Sequence, residues 1–388
     1  MQRRTSVREM TSRERVLAAL KHQEPDRVPL DLGGYPTTIE TIPYNELKKY
    51  LGIQSETSNF VRDHVEPSEE VLQKFKIDTR YLRPRPPKNF KIKIEPDNSY
   101  IDEWGTKWRK SPTSIYWDPV DYPLKEATLE DLEKYPWPDP NDPGRTEGLR
   151  ERAKMLRENT RYAIVGDSPA SGIFDLACLF LAGPERFMAD MILDKFFAKA
   201  LLEKVCELHM RLYENYLNAI GNYIDVIIVM DDLGGMQGLL ISPDLYREMV
   251  KPMEKRLWQF IKSKTKAALF LHCCGSIYHI IPDLMEMGVE ILNPVQVSAK
   301  DMDTQRLKRD FGSRLTFWGG IDTQQVLPFG SPEDVEREVK RRISDLAPGG
   351  GYVLTAVHNI QAGVPPENIC RMYEAAQKYG TYPIQAKE

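Results

Sequence analysis

The stretch ALFLHCC (residues 268–274) is an apolar run that ends in three residues able to bind a metal, and it sets the pattern for much of the chain. Similar runs are YAIVGD (162–167), VIIVMDD (226–232), VEILNPVQ (289–296), LTFWGGID (315–322) and GYVLTAVH (351–358). Amphipathic stretches typical of helices separate them, at residues 184–221, 243–262, 278–286 and 331–346. Continuous apolar strands that alternate with helices predict a parallel sheet covered by helices on both faces.

Two earlier segments bring the number of predicted strands to eight. VPLDLGG (residues 28–34) is apolar and ends at a glycine turn, and a second run lies near residues 79–83. Eight βα units close into a (β/α)₈ TIM barrel, and such barrels often reach this length as one domain. We therefore predict a single barrel domain over residues 1–388. A doubly wound open sheet is the alternative, but the G-x-G-x-x-G spacing expected after its first strand is absent.

Residues 36–140 are less regular and are predicted to be segments inserted at the rim of the barrel. KIKIEP (91–96) and YIDEWGTKWRK (100–110) alternate in the manner of a hairpin, with a polar turn at Asp97 and Asn98. Trp104, Trp108 and Trp117 fall in or just after this hairpin. The tryptophans could form a lid over a substrate at the barrel mouth, or the hairpin could simply pack on the rim.

Composition narrows the class of protein. The 388 residues are 41% hydrophobic and 28% charged, with a net charge of −4, and no basic run argues for nucleic acid as a partner. No apolar run approaches the roughly 20 residues that cross a bilayer, and the charged N-terminus does not resemble a signal peptide. Five cysteines, two of them adjacent, do not suit a disulfide framework. A cytoplasmic protein with no membrane partner is expected.

Polar side chains stand at the ends of nearly all the predicted strands. In a parallel barrel the carboxyl ends of the strands meet at one mouth, where active sites form. Paired acids after an apolar strand are costly to bury without a partner, so Asp231 and Asp232 are the candidate catalytic residues. The candidate substrate-binding residues are Asp31, Asp167, Asn293, Gln296, Asp322 and Asn359.

A metal site is predicted at the end of the strand at residues 268–274. His272 and Cys274 are two residues apart on an extended segment, so their side chains share one face and can reach one ion. Imidazole and thiolate are preferred ligands of zinc. His358, at the end of the last strand, can complete the set. The alternative is a buried histidine beside an inert thiol, while Cys273 should face the other way and pack between sheet and helices.

The sequence also resembles the uroporphyrinogen decarboxylase superfamily. The segments that carry the resemblance are SRERVLAALKHQEPDRVPLDL (12–32), ISPDLYREMVKPMEKRL (241–257), HCCG (272–275), WGGIDTQQVLPFGSPEDVEREVKRRI (318–343) and GGGYVLTAVHNIQAGVPPENI (349–369). This resemblance implies a (β/α)₈ barrel. It also implies one of two activities, metal-free decarboxylation of a tetrapyrrole or zinc-dependent methyl transfer with a corrinoid protein.

The resemblance is closer to the methyltransferase branch. That branch carries H-x-C-G, matched by His272, Cys274 and Gly275, and a cysteine at the last strand, where this chain has His358. The decarboxylases carry an arginine-rich segment after the first strand, whereas LDLGGYPTTIE (30–40) has no arginine. The expected cofactors are therefore Zn²⁺ and a corrinoid (cobalamin) supplied by a partner protein.

The expected function is movement of a methyl group between a small molecule and that corrinoid protein. The small molecule would be a methoxylated or methylated compound or a thiol, with a leaning towards O-demethylation, and the chain is a possible homodimer. The alternatives are decarboxylation involving Asp31 and Asp232 without a metal, and a non-catalytic binding barrel.

Overall fold

The computed structural model describes residues 9–111 and 117–384, so the first eight residues of the charged N-terminus lie outside the described residues. The strands are β1 (Ser58–Val61), β2 (His64–Glu66), β3 (Thr79–Leu82), β4 (Ser99–Ile101), β5 (Lys107–Arg109), β6 (Asp118–Asp121), β7 (Ala163–Gly166), β8 (Val226–Met230), β9 (Ala268–His272), β10 (Ile291–Asn293), β11 (Thr316–Trp318) and β12 (Tyr352–Val353).

Helices separate these strands in the predicted rhythm. They are α1 (Ser12–Leu20), α2 (Thr41–Leu51), α3 (Glu69–Lys74), α4 (Leu129–Lys134), α5 (Leu149–Asn159), α6 (Pro184–Leu193), α7 (Lys195–Ile220), α8 (Pro243–Leu245), α9 (Lys251–Lys264), α10 (Ile281–Glu286), α11 (Thr304–Phe311), α12 (Val326–Phe329), α13 (Pro332–Leu346) and α14 (Pro366–Tyr379). Segments Asp175–Ala182 and Tyr246–Val250 are π-helical, and Pro143–Thr146 and Tyr278–Ile280 are 3₁₀-helical. No helix in the described ranges is both long enough and apolar enough to cross a membrane.

Seven of the strands form one curled parallel sheet in the order β12-β11-β10-β9-β8-β7-β3. The predicted parallel α/β architecture is therefore confirmed, with a TIM-like arrangement. The segment around Leu30 forms backbone hydrogen bonds towards both edges of this sheet. Asp31 N donates to Leu354 O just after β12 at 3.0 Å, and Asp78 N, just before β3, donates to Leu30 O at 2.8 Å.

Alternation along each strand decides which side chains face the interior of the curled sheet. Val226 and Ile228 of β8 and Phe270 of β9 belong to one inner cluster, together with Trp318 and Val353. The intervening residues of β8 and β9, such as Ile227, Val229, Leu269 and Leu271, pack outward in the larger cluster beneath the helices. Because the pattern has a period of two, Asp232, His272 and Cys274 continue the inner series, whereas Asp231 and Cys273 continue the outer one.

Two small antiparallel sheets lie between residues 36 and 140, namely β1-β2 and β4-β5-β6. The predicted hairpin between residues 91–96 and 100–110 is wrong, because β4 pairs with β5 and residues 91–96 are in no strand. The reason is the turn that Asp102 makes. Its carboxylate accepts from the amides of Trp104 at 2.9 Å and Thr106 at 3.0 Å, so the chain reverses inside the second segment.

Candidate metal centre and its surroundings

The three predicted metal ligands converge. One ligand atom from each of His272, Cys274 and His358 lies within 4.8 Å of the others. The Sγ of Cys274 is 3.4 Å from Nε2 of His272, and the two imidazole rings are 5.4 Å apart at an angle of 60°. Zinc bonds of about 2.3 Å to sulfur and about 2.0 Å to nitrogen at a tetrahedral angle place such atoms about 3.5 Å apart. This donor set therefore fits a zinc ion.

His272 is oriented by a hydrogen bond on the far side of its ring. Its Nδ1 is 2.6 Å from Oδ1 of Asn293, and Nδ2 of Asn293 donates to Trp318 O at 2.9 Å. The second bond fixes the amide so that its oxygen faces Nδ1, which must carry the proton. Nε2 then presents its lone pair towards Cys274. Burial lowers the pKa of His272, which favours the neutral imidazole that binds metals.

The protonation states of Cys274 and His358 also decide whether these side chains can bind a metal. Burial, followed by repulsion from Asp232, raises the pKa of the Cys274 thiol, and a bound cation would oppose both effects by favouring the thiolate. Burial, with smaller contributions from His272 and His64, lowers the pKa of His358 to about 3. The His358 imidazole is therefore neutral at pH 7, as a metal ligand must be.

Removal of the bond from Asn293 should weaken the site measurably. We expect Asn293→Leu to lower zinc affinity about 10- to 100-fold, because outer hydrogen bonds that orient a ligand typically contribute this much. Asn293→Asp keeps an oxygen acceptor beside Nδ1 and should lose less. Competition titration with a zinc chelator measures both variants, and equal losses in the two would contradict an orienting role.

The loop after His272 is held by side chains from two neighbouring strands. Cys274 N donates to Oδ1 of Asp232 at 2.8 Å, and Gly275 N donates to Oε1 of Gln296 at 2.7 Å. Gly275 has a φ of +85° and lies against Gly234, so a side chain there would meet backbone. Asp232 and Gln296 thus position the thiol through the backbone, and both are half-buried at the same edge.

Asp231 lies on the opposite side of β8 from Asp232. Its carboxylate is buried and accepts from the amides of Phe174 and Asp175, both at 2.9 Å. These are the first amides of the π-helical segment, so Asp231 anchors the chain between sheet and helix. Burial raises the pKa of Asp231. Asp175 continues the link, since Asp232 N donates to its Oδ1 at 2.8 Å.

Asp31 is fully buried inside the curled sheet. Its carboxylate accepts from Thr79 Oγ1 at 2.5 Å, Tyr81 OH at 2.9 Å and Trp318 Nε1 at 2.9 Å. Burial raises the pKa of Asp31 despite these donors. These three donors use most of the hydrogen-bond acceptor capacity of Asp31. Its carboxylate therefore links β3 to β11 inside the sheet.

Asp322 and Asn359 likewise bind the protein's own groups. Oδ1 of Asp322 accepts from Gln324 N at 2.6 Å and from Gln325 N at 3.0 Å, which closes the turn after β11. Asn359 is buried; its Oδ1 accepts from Thr38 N at 2.9 Å and its Nδ2 lies 2.7 Å from Nε2 of His64. Asn359 directly follows His358, so these contacts fix the chain that carries the third ligand.

Asp167 lines a separate cavity of about 660 Å³, to which none of the three metal ligands contributes. The cavity is bounded by Tyr35, the tip of the β1-β2 hairpin, residues 83–87 and the first turn of the β4-β5 connection. Tyr35 is the link between the two sites. Its ring stacks on His64 at 5.1 Å, and His64 contacts Asn359 beside His358. The contacts through Tyr35, His64 and Asn359 therefore connect the cavity to the chain that carries His358.

The carboxyl group of Asp167 should give stability a distinct pH dependence. Burial raises its pKa from 3.8 to about 6, against the opposing effects of Arg83 and the amides of Tyr35 and Ser168. The folded chain then keeps a proton that the unfolded chain has lost, so this contribution to stability is present at low pH and is lost as pH rises through about 6. Between about pH 4.5 and 5.5 the wild type should lose about 1 kcal/mol of unfolding free energy per pH unit relative to Asp167→Asn.

Urea unfolding of wild type and Asp167→Asn across this range tests the effect, with Asp322→Asn as the control at a half-exposed turn. Parallel pH curves for wild type and Asp167→Asn would contradict the raised pKa.

Several residues of this region were not singled out from the sequence. Tyr35 and His64 lie between cavity and metal cluster, and Asp175 is bonded to Asp232. Asp175 sits in an apolar segment, FDLACLFLA (174–182), where a lone acid is a signal that could have been used. Tyr35 and His64 carried no signal, because only the folded chain brings them together.

Comparison with known proteins settles the family. A family model described as uroporphyrinogen decarboxylase (URO-D) matches residues 120–379, about two thirds of the chain. The chain belongs to the uroporphyrinogen decarboxylase family. The resemblance found in the sequence is thereby confirmed.

The relatives include both activities found in the family. Methylcobamide:CoM methyltransferase MtaA of Methanosarcina barkeri is 28% identical over 194 residues, covering 47% of this chain and 55% of the relative. The chain thus spans about half the length of this curated relative. The uroporphyrinogen decarboxylase of Trichlorobacter lovleyi is 25% identical over 291 residues, covering 72% of this chain and 76% of the relative.

The solved structure of a methyltransferase from Methanosarcina mazei has the same fold. It matches with a TM-score of 0.61 and 21% identity, over 96% of this chain and 99% of that one. At this identity the match supports the fold alone. The relatives are therefore enzymes of two kinds, and the choice between them depends on the site.

Proposed function

We propose that the protein is a zinc-dependent methyltransferase that moves a methyl group between a small molecule and a corrinoid protein. The observation that carries this proposal is the convergence of His272, Cys274 and His358, with ligand atoms within 4.8 Å of one another. When zinc is bound there, it supplies Lewis acidity that stabilises charge on a leaving oxygen or lowers the pKa of an accepting thiol.

The scaffold in this proposal is a closed eight-stranded barrel formed by the whole chain. The segment around Leu30 supplies the eighth strand, supported by its backbone bonds to Leu354 and Asp78. Residues 36–140 are segments inserted at the rim, supported by the ring contacts of Phe60 and His64 in the β1-β2 hairpin with Tyr35. The metal cluster lies at the carboxyl ends of β9 and β12, where active sites of such barrels form.

The chain's own residues provide orientation and charge. Asn293 holds the His272 ring with Nε2 towards Cys274, and Gln296 and Asp232 hold the backbone of the Cys274 loop. The carboxylate of Asp232 belongs to the inner series of side chains and lies beside the Cys274 thiol, where it can accept a hydrogen bond from substrate. Asp231, on the opposite face, accepts hydrogen bonds from the amides of Phe174 and Asp175 and so holds this part of the chain in place. We therefore assign the catalytic role to Asp232 and a positioning role to Asp231.

Two observations favour methyl transfer over tetrapyrrole decarboxylation. Residues 30–40, where the decarboxylases carry an arginine-rich segment, lack arginine. A macrocycle with many carboxylates needs many free cationic partners. Asp31, the residue that could act on a pyrrole, is occupied by three donors.

The corrinoid is proposed to arrive on a partner protein that docks at the mouth of the barrel near the metal cluster. The relative named methylcobamide:CoM methyltransferase supports this choice of methyl carrier. A cytoplasmic homodimer that takes a methoxylated compound, a methylated compound or a thiol is the form we propose for the working enzyme.

The test combines metal analysis with a methyl-transfer assay. Purified protein should hold about one zinc per chain. With a panel of methyl ethers and methyl thioethers it should consume cob(I)alamin, followed by loss of the cob(I)alamin absorbance, and Cys274→Ala should lose both properties. Protein that binds no zinc, or that releases carbon dioxide from uroporphyrinogen without metal, would overturn the proposal.

A further inference from the structure

The cavity beside the metal cluster differs from the cluster in chemistry, and its lining indicates what it holds. We propose that it binds a planar aromatic anion, such as a methoxylated benzoate, with the carboxylate beside Arg62 and Arg83 and the ring against the aromatic wall. This inference rests on the proposed function, because it names the substrate class that would deliver a methyl group to the neighbouring cluster.

The cavity carries an excess of positive charge. Among the described residues, five cationic side chains line it against three acidic ones. The acids are already engaged: Glu103 pairs with Arg145, Asp102 accepts from Trp108 Nε1 at 2.7 Å, and Asp167 accepts from Tyr35 N at 2.8 Å. The positive charge that remains is suited to one or two carboxylates of a ligand.

Arg62 is a cationic side chain of the cavity that lies against aromatic rings. In the described ranges it forms no ion pair, and its guanidinium instead lies 4.0 Å from the ring centroid of Trp108 and 5.5 Å from that of Tyr100. It stands at the tip of the β1-β2 hairpin with a φ of +48°, a conformation uncommon for residues other than glycine. The hairpin therefore presents a planar, stacked guanidinium to the cavity at a position where glycine would be less strained.

Arg83 adds a donor that the protein leaves unused. It lies at the end of β3, and its side chain is only 11% exposed. Its Nε is buried and has no hydrogen-bond partner among the described residues, although Asp167 is 3.8 Å away. A buried N–H without an acceptor is costly, and a carboxylate oxygen of a ligand would satisfy it.

The body of the ligand must be flat and apolar to suit the remaining walls. These walls are aromatic rings and prolines, among them Tyr35, Phe60, Phe90, Tyr100, Trp104 and Tyr216. Aromatic rings pack against such faces in stacked and edge-on arrangements. A volume of about 660 Å³ is in the range of small-molecule sites and exceeds what a single ring with its substituents fills.

The position of the cavity connects it to the metal cluster. Tyr35 lines the cavity and stacks on His64 with an angle of 6° between the rings. His64 contacts Asn359, which follows His358. Tyr35 and His64 thus lie between the cavity and the chain that carries His358, and a ring held at Arg62 and Arg83 would contact this boundary.

Calorimetric titration of the full chain with three probes tests the inference. We expect 4-methoxybenzoate to bind saturably, 4-methoxybenzamide to bind about tenfold or more weakly because it lacks the charge, and cyclohexanecarboxylate to bind more weakly because it is not planar. Arg62→Gln should lower the affinity for 4-methoxybenzoate about tenfold or more, as expected for a hydrogen bond to a charged group. The affinity of Arg62→Lys should lie between those of wild type and Arg62→Gln, since lysine keeps the charge but lacks the planar guanidinium.

The controls separate this inference from the proposed function. Arg109→Gln changes an exposed arginine on β5 that does not line the cavity, and it should bind the probe as wild type does. Cys274→Ser should also keep probe affinity, because binding does not need the metal. Equal affinities in Arg62→Gln and Arg109→Gln, or equal binding of the acid and the amide, would overturn the inference. Loss of zinc with retained probe binding would overturn only the proposed function.

Discussion

Replacing His358 with alanine is expected to remove zinc from the purified protein and to leave less than about 1% of the methyl-transfer activity. Zinc sites of this kind bind with about 10–16 kcal/mol shared among their ligands, so losing one of three protein ligands should lower zinc affinity on the order of 100-fold or more. The fold should survive. Because burial lowers the pKa of His358 to about 3, alanine removes a neutral ring and leaves no unpaired charge.

Two further variants make this result specific. His358→Cys restores a zinc-binding side chain at the same position and should keep the metal, since thiolate serves zinc as well as imidazole does. His279→Ala removes a histidine whose side chain is 63% exposed and which lies outside the cluster, and it should behave as wild type. If His358→Ala kept a full complement of zinc at wild-type affinity, the proposed ligand set would be wrong.

The parallel architecture and the shared face of His272 and Cys274 were predictable from the sequence because both follow from the periodicity of strands. Side chains alternate between the two faces of a strand. This alternation places His272 and Cys274 on one face, and it also places Asp231 and Asp232 on opposite faces. Met230 and Asp232 continue the inner series of Val226 and Ile228, while Asp231 continues the outer one. The same rule would have favoured Asp232 over Asp231 as the residue on the side of His272 and Cys274.

The alternation of side chains no longer predicts their direction where the backbone leaves the strand conformation. After β11, Gly319 and Gly320 have φ values of +115° and +101°, so alternation cannot be carried on to Asp322. That residue closes a turn instead. The cavity was beyond prediction for a different reason. Its walls come from the tip of the β1-β2 hairpin and the segment after β3, and no local pattern specifies how such segments pack against each other.

Gly275→Ala is expected to lower both stability and metal affinity, because this glycine combines a positive φ with a crowded position. A Cβ at Gly275 would lie 2.3 Å from C and O of Gly234 and 2.8 Å from Gly235 N. These are backbone atoms, so the conflict cannot be relieved by turning a side chain. Left-handed strain of about 1–2 kcal/mol and overpacking of about 1–3 kcal/mol together predict a loss of roughly 2–5 kcal/mol of unfolding free energy.

Gly349→Ala separates strain from crowding. Gly349 has a φ of +75°, but an added Cβ would meet nothing within 4 Å, so this variant should lose only the strain of about 1–2 kcal/mol. The difference in urea-unfolding free energy between the two variants measures the contact with Gly234. Zinc affinity should fall in Gly275→Ala alone, since relief of the conflict must displace Cys274 from Asp232 or Gln296 from Gly275 N. Equal losses of stability in both variants, with zinc binding intact, would show that the close approach of the two loops does not position the thiol.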